Sequence, residues 1–477
     1  MNDILHAANR FVWGFPALVM IVIVGVRLTL RTNWVQFRLF PAAMRTFFAS
    51  FRKNQDKDAI SPYRALCTAL AATVGTGNLA GVGGAIAIGG PGAIFWMWVC
   101  AFLGMVTKFA EATLSVRYRI KDSCGNFIGG PMYIAQQGLG NRWHWIAALY
   151  CFFGIFAAFG VGSATQINAV IGGINGAVTA LGGQESAKNN FLIGIVLAIL
   201  TVLVLLGGAT RIASAAAFLV PFASVFYILL CVVVLIMRSY AIPQALLSIV
   251  RGAFSPKAVT GGMIGSFFQV LRIGASRGVF TNEAGMGTAG MAHSAAQVSH
   301  PVEQGMMGIV EVFIDTIVIC TMTGLVILCS GITVPYGCDL GIRITADAFS
   351  SVFGSWVNVP IAISLICFAF ATMMGWGLYG VRCAQFLFGE GVWKGFVFFQ
   401  AISIVLGSVL GTGTVWLLSE TANGLMAIPN LLILMNLMPE LVRLVKEYIC
   451  LYGIKSAGGG TYENIKKPES MRFITNA

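Results

Sequence analysis

The run Ala71-Ala-Thr-Val-Gly-Thr-Gly-Asn-Leu-Ala-Gly-Val-Gly-Gly84 decides how this chain folds. It sits in a long apolar region, yet it holds too many glycines and hydroxyl side chains for an unbroken helix inside a bilayer. Glycine costs roughly 1 kcal/mol relative to alanine in a helix interior, and a backbone group freed in hydrocarbon is expensive unless it lines a polar cavity. A membrane helix broken here points to a binding site. A second segment of the same character, Gly274-Ala-Ser-Arg-Gly-Val-Phe-Thr-Asn-Glu-Ala-Gly-Met-Gly-Thr-Ala-Gly290, follows about two hundred residues later. Paired interrupted helices in corresponding halves are a mark of secondary transporters.

Composition sets the solvent. Hydrophobic residues make up 57% of the 477, charged residues only 10%, and the mean hydropathy is +0.83. These values place the chain among polytopic membrane proteins. The formal charge of +12 lies between apolar runs rather than along one helix face, which argues for topology and lipid and against nucleic acid. Eleven cysteines, mostly within apolar stretches and without a CxxC pair, read as small core residues. His293 and His300, with Glu303 nearby, meet no usual metal-ligand spacing. HExxH is missing, as is a His paired with a Ser or Cys in a recognisable arrangement, so the sequence does not read as an enzyme and needs no cofactor. Acidic Asp3 and the lack of a cleavage-like site argue against a removable signal peptide.

Segments long enough to span, roughly 17 to 25 residues each, fall near 12–30, 65–89, 91–116, 146–173, 191–208, 214–237, 263–290, 304–333, 356–381, 395–411 and 414–439. The expectation is therefore an all-α protein of about 11 transmembrane helices. Outside these spans, Lys and Arg number twenty on one side, including Arg52, Lys53 and Lys57, and six on the other, including Lys257. The positive-inside rule then puts the N-terminus outside and the C-terminus in the cytoplasm. The loop after the first span mixes Trp34, Phe37, Phe40, Phe47, Phe48 and Phe51 with arginines, as a helix lying in the headgroup layer would. The tail from Ser456, with its glycines and lysines, reads as solvated chain.

Without the first span, ten remain, five on each side of the loop near 240–260. An odd number per half inverts the second half relative to the first. The first helix of each half is the broken one, at Gly75 and Ala275, and the next carries an acid at the same offset, Glu111 and Glu311. This arrangement resembles the leucine-transporter type, a 5+5 inverted repeat with one extra N-terminal helix. The expected divisions are 1–64 (extra helix and basic interfacial segment), 65–240 (first repeat, broken near 73–78), 263–440 (second repeat, broken near 274–282) and 441–477 (cytoplasmic tail).

A zwitterionic amino acid needs donors for its carboxylate, acceptors for its ammonium and an apolar wall. Half-helix ends supply the first two. Candidate substrate contacts are Gly75, Thr76, Gly77 and Asn78 at the first break, Phe280 and Thr281 at the second, and Gln166, Thr372 and Trp376, isolated polar or aromatic residues in apolar helices. Thr73, Thr76, Ser276 and Thr372 offer hydroxyls to a cation. Abundant neutral oxygen ligands at the first break favour Na+ as coupling ion, and Glu283 is the titratable alternative if protons are used. Arg272, Arg277, Glu283, Glu311 and Asp315 read as gate or scaffold charges, with Glu311 and Asp315 as partners for the arginines. Lys108 and Glu111, spaced i,i+3, are expected to pair. An ion channel fits less well, since nothing repeats in parallel orientation.

Five motifs resemble the alanine or glycine:cation symporter family: Thr76-Gly-Asn-Leu-Ala-Gly81, Gly130-Pro-Met-Tyr133, Gly278-Val-Phe-Thr-Asn-Glu-Ala-Gly285, Phe370-Ala-Thr372 with Gly375-Trp376, and Asn423-Gly-Leu-Met-Ala-Ile-Pro-Asn430. The resemblance covers about residues 12 to 445. It implies an eleven-helix transporter of the amino acid–polyamine–organocation superfamily that imports alanine or glycine with sodium. It also implies substrate contacts from the first broken helix, Gln166, the Phe280 region, Thr372 and Trp376. A monomer in a bacterial inner membrane is the expected setting.

Overall fold

Helices here begin where side chains or proline relieve the unpaired N–H groups of a first turn. Ser61 caps one by accepting from Arg64 N at 3.2 Å, with Pro62 next. His300 caps another through Nδ1, which accepts from Val302 N at 3.2 Å, with Pro301 next. The computed structural model describes residues 2–14, 16–51, 60–123, 125–256, 260, 266–337 and 341–452. Arg52, Lys53, Lys57, Lys257, the first residues of the expected second repeat (263–265) and the tail from Ser456 lie outside the described residues.

Two helices, α1 (Asn2–Gly14) and α2 (Pro16–Arg31), precede α3 (Phe40–Ser50). Trp34, Phe37, Phe48 and Phe51 are exposed on and beside α3, an apolar fringe suited to a headgroup layer. Next come α4 (Pro62–Thr73), α5 (Ala80–Gly89) and α6 (Gly92–Arg117). A short hairpin pairs Ile120 with Ile128. Then follow α7 (His144–Phe159), α8 (Thr165–Ala180), α9 (Ala187–Leu205), α10 (Gly208–Met237) and α11 (Ile242–Phe254). After these come α12 (Phe267–Asn282), α13 (Thr288–His293), α14 (Pro301–Val312), α15 (Thr321–Cys329) and α16 (Ile342–Phe353). The last are α17 (Asn358–Phe388), α18 (Trp393–Gly407), α19 (Thr412–Asn436) and the amphipathic α20 (Met438–Leu451).

Among the described residues, nine helical stretches are long and apolar enough to cross a membrane, and the pair 62–73 and 76–89, bent by 56°, makes a tenth. The eleventh expected span, 263–290, is α12, a turn and α13. The inner core is α4, α6, α12 and α14 with α17 against α7, α8 and α10. Phe218, Phe222, Leu229 and Phe398 on α10 and α18 stay exposed, as side chains facing lipid do. The nine described cysteines are free and seven are buried, in keeping with packing residues.

One expected boundary moves. α12 runs unbroken through 274–282, and the interruption follows at Glu283–Gly287. Gly274 and Gly278 are packing glycines: a Cβ on Gly274 would stand 2.4 Å from Ala93 O, and one on Gly278 3.3 Å from Met97 Cα. The turn itself uses left-handed backbone at Glu283 (φ 54°), Gly285 (φ 93°) and Gly287 (φ 77°), which glycine adopts without steric cost.

Candidate functional site

At the first break, Val74 leaves the helical region and Gly75 is extended, before one short turn, Thr76–Asn78, starts α5. Asn78 rebuilds part of the lost ladder, its Oδ1 accepting from Gly75 N at 2.9 Å. Its Nδ2 donates to Asp315 Oδ1 at 2.6 Å. Across the break stands Gln166, whose Oε1 accepts from the Thr76 hydroxyl at 3.0 Å and more weakly from Thr76 N at 3.4 Å. Opposite Gly75 is Thr372, whose Oγ1 donates to Phe368 O at 3.0 Å. A Cβ on Gly75 would lie 2.6 Å from that hydroxyl and 3.4 Å from Gln166 Oε1, and one on Gly77 3.2 Å from Thr281 Cγ2 and 3.5 Å from the Phe280 ring. Gly75, Thr76, Gly77, Asn78, Gln166, Phe280, Thr281 and Thr372 thus converge on one close-packed polar cluster with an aromatic side, called the chamber below. It is buried: Thr76 is 0%, Thr372 1% and Gln166 3% exposed.

Both polar partners stand next to irregular helix. Residues Gly160–Ala164, between α7 and α8, form a π-bulge immediately before Gln166, and Gln166 Nε2 donates back into it, to Val161 O at 2.9 Å. A longer π segment, Phe313–Cys320, carries Asp315. Such bulges rotate side chains out of α-register and recur at functional sites. No compositional signal announced them.

Trp376, one turn beyond Thr372, is fully buried and reaches the second break instead: its indole N–H donates to Glu283 Oε1 at 2.7 Å. Glu283 Oε2 accepts from Thr288 at 2.6 Å. Gly162 lets α17 come this close, because a Cβ there would stand 2.2 Å from Trp376 Cβ. Glu111 holds the same break. Its Oε1 accepts from Gly285 N (2.9 Å), Gly287 N (3.0 Å) and Asn430 Nδ2 (2.8 Å), a nest of backbone donors around a carboxylate. The two breaks are therefore cross-tied. Glu111, on α6 after the first broken pair, holds the second break, and Asp315, on the π segment after α14 that follows the second broken pair, holds the first.

Several expectations are corrected. Lys108 contacts Glu311 rather than Glu111, Nζ to Oε1 at 2.9 Å with both side chains fully buried, because the packing of α6 on α14 brings together residues far apart in sequence. Glu311 Oε2 meets His293 Nε2 at 3.0 Å, and His293 Nδ1 meets Gln304 at 2.6 Å. The arginines do not meet Glu311 or Asp315 in a salt bridge: Arg277 pairs with Glu420 at 2.9 Å and its guanidinium lies 5.5 Å from the Trp416 ring centre. Ser276 stays half-buried in intact helix two turns before the real break, and neither it nor Arg272 joins the chamber. Thr73, also expected to serve a cation, ends α4 and turns its hydroxyl back to Ala69 O at 3.3 Å. Glu420 is the residue that sequence reading missed, although it is the one acid in the apolar stretch 414–439.

Two cavities are lined in part by helices that carry these residues, α8 and α12 for one and α17 for the other. The larger, about 860 Å³, is lined by Asn168, Gly172, Arg277, Asp347, Trp416 and Glu420. Trp416 stacks on Phe280 with ring centres 5.3 Å apart, so Arg277, Glu420 and Trp416 form its floor above the chamber wall. The other, about 460 Å³, is lined by residues including Asp122, Leu206, Gln297, Arg382 and Trp393. Among the described residues no group of three His, Cys, Asp or Glu side chains is arranged to hold a metal ion.

Comparison with known proteins identifies the family. A family model described as the sodium:alanine symporter family matches residues 1–452. The sodium/alanine symporter AgcS of Methanococcus maripaludis is 39% identical over 453 residues, covering 94% of this chain and 97% of that protein. The amino-acid carrier protein AlsT of Bacillus subtilis is 35% identical over 449 residues, 94% of this chain and 92% of its own. The probable sodium/glutamine symporter GlnT of Bacillus subtilis is also 35% identical, with 94% and 91% covered. Among solved structures, MhsT in complex with L-phenylalanine superposes with a TM-score of 0.56 at 16% identity, covering 82% of this chain and 99% of that one.

Proposed function

Since this chain belongs to the sodium:alanine symporter family, a family of multi-pass sodium-coupled amino-acid transporters, we propose that it carries alanine or glycine into the cell together with Na+. The observation that carries the reading is the size of the chamber at Gly75: one added methyl group would already collide with Thr372. A substrate with little or no side chain fits such a wall. Its carboxylate takes the backbone N–H groups of the first break in place of their present acceptors Asn78 and Gln166, its ammonium then meets Gln166 Oε1, and Phe280 covers the rest. The Thr76 and Thr372 hydroxyls, with Asp315 one bond away through Asn78, supply hard oxygen atoms for the ion. No other cofactor enters this reading.

Alternating access then means opening the chamber first to the larger cavity and next to the smaller. The Arg277–Glu420 pair closes the larger cavity, which faces outward if the N-terminus is outside and the C-terminus cytoplasmic. The uneven distribution of Lys and Arg supports that orientation, in a bacterial inner membrane. Residues 65–240 and 263–440 act as two inverted five-helix units around the site, in a transporter that works as a monomer. Glu420→Gln is expected to raise the KM for alanine several-fold while Na+ dependence persists, measured as initial uptake rates; unchanged kinetics would remove Glu420 from the gate.

The deciding experiment is uptake of labelled alanine into proteoliposomes under an inward Na+ gradient, compared with K+ alone and with a proton gradient. Accumulation with Na+ only is the expected result. Accumulation with protons alone moves the coupling ion to Glu283, and saturation without accumulation points to a passive pathway. Thr76→Val and Gln166→Leu should each slow uptake at least about tenfold, the equivalent of about one hydrogen bond to a charged group. Normal uptake in both would take these helices out of the site. Competition by unlabelled glutamine at alanine-like concentrations would favour a larger neutral substrate.

A further inference from the structure

The motif Asn423-Gly-Leu-Met-Ala-Ile-Pro-Asn430 has no place in the chamber, yet its two asparagines are fully buried in the middle of a membrane helix. Asn430 Nδ2 is used twice, by Glu111 Oε1 at 2.8 Å and by Gly285 O at 2.9 Å. The other half of each group is not used: among the described residues, Asn430 Oδ1 and Glu111 Oε2 are buried acceptors with no partner. They flank one and the same hydrogen bond. Both polar atoms of Asn423, two turns earlier on α19, are also unpartnered, as are the buried hydroxyls of Tyr150 and Tyr379. Both tyrosines lie within electrostatic reach of Glu111 and Glu283.

Charge gives a second, independent argument. Lys108 is in contact with Glu311, and Glu111 and Glu283 lie only within its wider electrostatic range. Among the described residues, one lysine thus serves three buried glutamates around a helix break. Buried charges in a membrane protein are paired or mark an ion pathway, and oxygen acceptors without donors are the ligand type of hard cations. Lys108 offsets Glu311 and one bound cation would offset Glu111, while Glu283 is held by the neutral donors Thr288 and Trp376.

We propose that the second helix break holds a Na+ of its own, bound by Glu111 Oε2 and Asn430 Oδ1. This rests on the sodium-coupled reading above and adds a second ion to it, at the break that the substrate chamber does not use. The ion ties α6, α19 and the turn 283–287 together, so its release would free that turn when the transporter opens.

The test is binding of radioactive 22Na+ to the purified full-length protein, counted per chain. Wild type is expected to bind two ions. Glu111→Gln should bind one: its amide oxygen still accepts from Gly285, Gly287 and Asn430, while the charge and the unused acceptor are gone. Asn430→Ala should likewise lose one ion, or weaken it at least tenfold, and Asp315→Asn should lose the other. Monodisperse elution of each variant shows that it is folded, and Glu111→Gln carries the test if Asn430→Ala is not. One ion in wild type that survives in Glu111→Gln would overturn the second site and leave the symporter standing, with a proton or water at Glu111 instead. No ion bound in wild type would overturn the sodium coupling as well.

Discussion

Lys108→Met is expected to cost about 3–5 kcal/mol of stability, the loss found when one member of a buried ion pair is removed. Lys108 and Glu311 are both fully buried and in contact at 2.9 Å. Removing the lysine strands Glu311 among α6 and α14 with only His293 beside it, and takes away the one positive side chain near Glu111 and Glu283. The purified variant should lose its thermal transition or show it well below that of wild type. The double variant Lys108→Met/Glu311→Gln should recover a large part of the loss, because a neutral amide still accepts from His293 and no charge is left unpaired. In a double-mutant cycle the coupling should reach about 1–3 kcal/mol. Additive losses would mean that the two side chains do not pair.

The second large effect concerns activity. Gly75→Ala should reduce alanine uptake by roughly a hundredfold, about 2.7 kcal/mol, while leaving the protein folded. The added Cβ would lie 2.6 Å from Thr372 Oγ1, a stiff β-branched side chain already bonded to Phe368 O. Either Thr372 rotates and turns its methyl group to the chamber, or the break widens; both remove hydroxyl contacts from substrate and ion. Gly77→Ala, whose Cβ would meet only Thr281 and Phe280 at 3.2 and 3.5 Å, should be milder. Adding Thr372→Ser to Gly75→Ala should restore part of the rate by removing the methyl group and keeping the hydroxyl. Wild-type uptake by Gly75→Ala would mean that substrate does not lie against this backbone.

Much of this was legible in the sequence, and the failures share a cause. Glycine and hydroxyl density marked the first break, because an apolar helix has no other use for so many freed backbone groups. Gln166 and Thr372 stood out as lone polar residues in apolar runs. The second break was placed about one turn or two too early because Gly274, Gly278, Gly285 and Gly287 look alike in sequence: two let α6 pack closely and two turn the chain. Ser276 was drawn in by the same shift. Lys108 and Glu111 were paired because i,i+3 spacing is visible locally, whereas Glu311 is 203 residues from Lys108. The π segments before Gln166 and around Asp315 arise from register between packed helices, which no single stretch of residues encodes.

The crossing of Glu111 and Asp315 makes the two hinges a linkage. Each is fastened to the helix that leads away from the other, so swinging one turn pulls on the base of its counterpart, and a molecule with only one hinge moved must stretch or break a buried carboxylate's bonds. If the two breaks are the hinges of the proposed transport cycle, half-way positions are thereby penalised, and the pair would behave as a toggle with two rest positions. For a device that must never open at both ends at once, that coordination is built into two carboxylates rather than into either gate.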